Sequence, residues 1–101
     1  MLLEHTCTIK RNVPVGTNGR YQMATLATDV DCLSLPMNAS TTIQNGFSLG
    51  RAYDIYFGEG QDVKPGDKIV VGSDSHVVRA VQDYKLPLVG HVRALCEQEV
   101  S

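Results

Sequence analysis

Apolar and polar residues alternate along most of this chain with the two-residue period of strands that bury one face. Over Glu4 to Lys10, Cys7 and Ile9 share one face, and Thr6, Thr8 and Lys10 share the other. The run Val13-Pro14-Val15-Gly16-Thr17-Asn18-Gly19 is expected to end this strand. Pro14 cannot donate to a ladder, and Asn18-Gly19 suits a tight turn with positive φ. A second strand is predicted from Tyr21 to about Leu35. Met23, Thr25 and Ala27 alternate first, then Val30 and Cys32, and the change of parity predicts a bulge or bend near Thr28-Asp29. Later strands are predicted at Arg51 to Phe57, Lys68 to Val71, His76 to Asp83 and Gly90 to Glu97. Lys64-Pro65-Gly66-Asp67 reads as a type II turn, and Gly72-Ser73-Asp74-Ser75 as a hairpin turn.

Six strand regions with no amphipathic helical stripe predict one all-β domain over residues 1–101. It would be a small barrel or sandwich of about six short antiparallel strands. The exception is Pro36 to Gly50, a polar stretch too long for an ordinary connection in a compact domain. It is expected to be a long loop, with a short helix as an alternative. Phe47 and Leu49 are placed to pin its end to the core. Strand order is not readable from the pattern.

Composition narrows the function classes. No apolar run exceeds four residues, so no membrane-spanning helix is expected. No basic stretch precedes an apolar one near the start, so a cytosolic origin is the default expectation. The net charge is −2 and the nine Lys and Arg residues are scattered, which disfavours a nucleic-acid-binding face. Cys7, Cys32 and Cys96 are an odd number without CxxC spacing, and are expected to be small buried hydrophobes rather than a disulfide or zinc set.

No candidate chemistry survives comparison with plain structural explanations. Gly72-Ser73-Asp74-Ser75-His76 holds an acid, hydroxyls and an imidazole, but turn chemistry accounts for every residue. His5, His76 and His91 lack metal-ligand spacing, Asp29 and Asp31 read as a solvated acidic rim, and Gly16-Thr17-Asn18-Gly19 lacks the Lys of a phosphate loop. The chain is expected not to be an enzyme, with no catalytic residue, cofactor or metal.

The order of elements does resemble a known family. It comprises the strand Thr6 to Lys10, a glycine-containing turn, a long strand ending Val30-Asp31-Cys32, and the aromatic strand Tyr53 to Phe57. Asp62-Val63-Lys64-Pro65-Gly66-Asp67-Lys68-Ile69-Val70, Val78-Arg79-Ala80-Val81 and Gly90-His91-Val92-Arg93-Ala94-Leu95-Cys96-Glu97 follow. Together they are similar to the head-closure, or stopper, proteins of long-tailed phages and prophages. The resemblance implies a small β-barrel made in the host cytoplasm and built into the virion neck as a self-associated, dodecameric ring. There it would retain packaged DNA, which is only cargo in the channel. Its partners would be an adaptor or portal-side protein above and a tail-terminator or tail protein below, with no membrane. The projecting loop of that family falls on 36–50, which makes Asn38, Ser40, Thr41, Thr42, Gln44, Asn45 and Phe47 the expected partner contacts, ordered on assembly. The turns at 12–20 and 84–90 are further candidates. Two alternatives remain: another head–tail or tail-terminator part, and a small-barrel nucleic-acid module of OB or SH3-like type.

Overall fold

The computed structural model describes residues 3–16, 19–47, 50–84 and 90–99. Asn18, Leu49 and most of the 84–90 turn, all named above, lie outside the described residues. Six antiparallel strands are present: β1 (His5–Val15), β2 (Arg20–Pro36), β3 (Ala52–Gly58), β4 (Lys68–Val71), β5 (Asp74–Tyr84) and β6 (His91–Gln98). They close a barrel in the order β1-β2-β3-β6-β5-β4, with β4 returning to pair β1. The expected all-β domain is thus a barrel rather than a sandwich.

The alternating residues meet inside. Cys7, Ile9, Cys32, Ile55, Phe57, Ile69, Val78, Val92, Ala94 and Cys96 form the buried core, and Val63 plugs it from the loop before β4. Three register slips, two along β1–β2 (Cys7/Ile9 and Ile9/Lys10) and one along β5–β6, adjust which residues face inward. On β2 the register slips between Cys7↔Val30 and Ile9↔Ala27, where Asp29 takes a φ of 52°, so the parity change in the sequence is a bulge as expected. On β5 the register slips between Val78 and Ala80, which lets Val78 and Val81 both face the core. The thiols behave as apolar filler. All three are free and buried; the neighbouring Cys32 thiol, then burial, push Cys7 upward, and burial pushes Cys96 up to about 12.

The turns follow their chemistry. Gly66 has a φ of 93°, and the Asp67 N–H donates to the Lys64 carbonyl at 3.1 Å, closing the expected Pro-Gly turn. Gly72-Ser73 joins β4 to β5 as a two-residue hairpin, with Gly72 at a φ of 60° and Val71 paired to Asp74.

One expectation is corrected. β1 does not end at Lys10 but runs through Pro14 to Val15, paired with β2 as far as Val15↔Arg20. Proline is tolerated because β4 flanks β1 only over Thr8–Lys10. Beyond that, among the described residues, one side of β1 is an edge that needs no donor. The result is a two-stranded arm reaching past the barrel. The stretch 36–50 takes the alternative expected for it, its described residues containing the short helix α1 (Ala39–Gln44).

Candidate interaction surface

Local sequence explains why the 36–50 segment folds. Asn38 caps α1, its Oδ1 accepting from the Thr41 N–H at 2.8 Å. At the other end Gly46 turns left-handed with a φ of 73°. Its N–H donates to Ile43 O and that of Phe47 to Thr42 O, at 3.1 and 3.0 Å, the reciprocal pair of a Schellman stop. Phe47 then packs on Met37, Ala52 and Leu95, with Ala80 alongside, on the outer face of the β3-β6-β5 wall. The Met37 N–H donates to Ala52 O at 2.9 Å and fixes the entry. A six-residue helix is too short to persist alone; the caps and this second, outer cluster hold it.

The seven expected contact residues therefore divide. Asn38, Ser40, Gln44 and Asn45 are exposed and Thr41 half-exposed. Thr42 is 1% exposed, and its hydroxyl donates to Asn38 O at 2.8 Å, so it has no surface to offer a partner. Phe47 is half-buried and serves as the anchor foreseen for it. The sequence reading missed Ile43, which lies in the same helix with 65% of its surface exposed. The signal was available: it is the one large apolar residue in the polar run from Asn38 to Gly46.

A second feature lies under the arm. Arg11 donates from Nε and Nη2 to both oxygens of Asp67 at 2.9 and 2.8 Å, and from Nη1 and Nη2 to Asp62 at 3.2 Å each. Asp67 is buried and also accepts from the Lys64 N–H at 2.9 Å. This pairing raises the Arg11 guanidinium further above its ordinary range and holds the Asp62 carboxyl below its own. The recess beside it, ≈ 190 Å³ lined by Arg11, Asn12 and Lys64 to Asp67, has its central cation already neutralised by two carboxylates. It reads as a clamp between arm and barrel.

The other candidate residues do not converge. The His5 Nδ1 accepts from the Ser34 N–H at 3.1 Å, and His91 rests beside Tyr56 with ring centres 5.9 Å apart. His76 is buried edge-on to Tyr53 at 4.9 Å, with its Nδ1 unpartnered. Burial pulls its pKa below the ordinary value, against the smaller opposing pull of Asp74 and Glu99. Asp29 and Asp31 are exposed, as a solvated rim should be. Among the described residues, no group of three or more His, Cys, Asp or Glu is placed to hold a metal.

No family model matches this chain, and no curated protein sequence does. Among solved structures the chain is similar to the phage-like element PBSX protein xkdH from Bacillus subtilis, with a TM-score of 0.57 over 94% of this chain and 93% of that one. The identity is 12%, so what the two share is the fold, along almost the whole length of both.

Proposed function

We propose that this chain is a structural protein of a phage or prophage particle, placed in the neck as a head-closure component. In this reading a ring of copies sits beneath the portal and adaptor, retains the packaged DNA and presents the tail with its docking surface. The observation that carries it is the end-to-end likeness to a protein of a phage-like element, 94% of one chain against 93% of the other. The strand and turn order described above supports the same family.

The surface suits such a role. Arg11, Lys68, Arg79 and Arg93 are each paired with a carboxylate, at 2.8–3.2 Å. These are four of the nine Lys and Arg residues, and each cation so neutralised is one fewer for passing DNA to grip. The capped helix α1, with Ile43 and the polar side chains of Asn38, Ser40, Gln44 and Asn45 outward, supplies the contact with a neck partner. That contact is structural, and no step of catalysis is part of the role.

The test is electron microscopy of particles from a phage or induced prophage lacking this gene. Detached tails beside emptied heads are the expected result. Intact, tailed, infectious particles would overturn the reading.

A further inference from the structure

The arm leaves a backbone edge without a neighbour. Among the described residues, β3 pairs β2 only over Cys32–Pro36, and β4 pairs β1 only over Thr8–Lys10. Beyond those stretches the two strands have only each other, and a two-stranded ribbon is marginal alone in water. The two free edges are not equivalent. That of β1 carries Pro14, which has no N–H, and Arg11, which is tied to Asp62 and Asp67. That of β2 over Arg20–Thr25 (Arg-Tyr-Gln-Met-Ala-Thr) has no proline, lysine or acidic residue. Its register is unbroken from Val15↔Arg20 to Lys10↔Thr25, and the first slip comes only beyond Thr25. Apart from the charge of Arg20 at its end, it therefore lacks the usual devices that keep edges from pairing.

Side chains add to the backbone. Tyr21 and Met23 are two apart, so they share a face, and they are 68% and 37% exposed. Asn12 and Pro14 lie across from them, also exposed. On the opposite face Arg11, Val13 and Ala24 are half-buried, on the side where Arg11 reaches the 62–67 turn, while Arg20 and Gln22 are exposed.

We propose that this edge takes the same edge of a second copy, two β2 strands adding antiparallel about a two-fold axis near Met23. Charge selects both occupant and direction. Arg20 stands at one end of the exposed strand and Asp29 and Asp31 at the other, all exposed. Antiparallel self-pairing brings each Arg20 towards the acidic end of the other strand, whereas a parallel arrangement would set like charges together. With Met23 near the axis, Tyr21 of each copy lies opposite Thr25 of the other. Both Tyr21 and both Met23 side chains then form one apolar row on a four-stranded ribbon. A two-fold contact is self-complementary and cannot close a larger ring by itself. The pairing is therefore independent of the neck reading, and the two fail in different experiments.

Sedimentation equilibrium of the purified chain, from micromolar to near-millimolar concentration, should show a reversible monomer–dimer equilibrium. Met23→Lys should weaken it at least tenfold without changing the circular dichroism or the thermal midpoint. As a positional check, Met23→Cys should link to its own counterpart under oxidised glutathione, far faster than Ser40→Cys on the exposed helix α1. A wild type that stays monomeric throughout, a Met23→Lys variant that pairs as well as wild type, or equal linking of the two cysteine variants would each overturn the pairing.

Discussion

Replacing Asp67 by alanine tests whether the clamp between arm and barrel holds the fold. Asp67 is 2% exposed, and its carboxylate accepts three bonds, two from Arg11 and one from the Lys64 N–H. Its main chain bonds β5 as well, the Val78 N–H donating to Asp67 O at 2.9 Å. Alanine leaves that backbone bond but strands Arg11 and the Lys64 N–H. Removing one partner of a buried ion pair costs about 3–5 kcal/mol, mostly the desolvation of what is left behind. The Arg11 side chain is still 21% exposed and keeps Asp62, so part of its charge is compensated. The expected loss is therefore about 2–3 kcal/mol. For a domain this size that lowers the thermal midpoint by roughly 10–20 °C. Urea unfolding followed by far-ultraviolet circular dichroism at pH 7, with a calorimetric midpoint, measures both. The matching cut at Asp62, whose side chain is 59% exposed, should leave the midpoint almost unchanged. A loss at Asp67 below about 1 kcal/mol, or equal losses at the two sites, would refute the idea that burial makes this pair matter.

Three further outcomes are expected. His76 has a folded-state pKa lowered by burial, so below about pH 6.5 the unfolded chain binds the proton more readily. Its contribution is intact above that pH and is lost as pH falls through it. Unfolding midpoints measured between pH 7.5 and pH 5 should drop more for wild type than for His76→Phe, which keeps the ring against Tyr53, and parallel curves would refute this assignment. Phe47→Ala should cost about 1–2 kcal/mol, less than a fully buried Phe because the ring is half exposed. Amide exchange should then rise across 39–44 while β3, β5 and β6 stay protected; uniform loss of protection would contradict a separate outer cluster. Ile43→Lys should leave stability within about 0.5 kcal/mol, since the side chain touches water. On the proposed neck role it should nonetheless reduce the yield of tailed particles, counted by electron microscopy.

The alternation of Cys7 with Ile9, and of Val92, Ala94 and Cys96, determined the strands and their inward faces, because a period of two leaves one way to bury such a segment. Pro65-Gly66 and Gly72-Ser73 determined their turns, and the parity change before Val30 determined the bulge at Asp29, for equally local reasons. What tertiary structure decided is whatever depends on a neighbour. Pro14 reads locally as a strand breaker, yet it sits in β1 because, among the described residues, no strand flanks that side. The polar 36–50 run reads as a loop, yet it folds because Phe47 finds Met37, Ala52 and Leu95, residues brought together by the β3–β6 pairing. Thr42 and Ile43 are adjacent in sequence, and only the side of α1 that meets the barrel makes one buried and the other exposed. Arg11 and Asp67 are 56 residues apart, and closing the barrel is what makes them a pair. Strand order and the unpaired edge of β2 belong to the same class, since an edge exists only once every other strand has found its place.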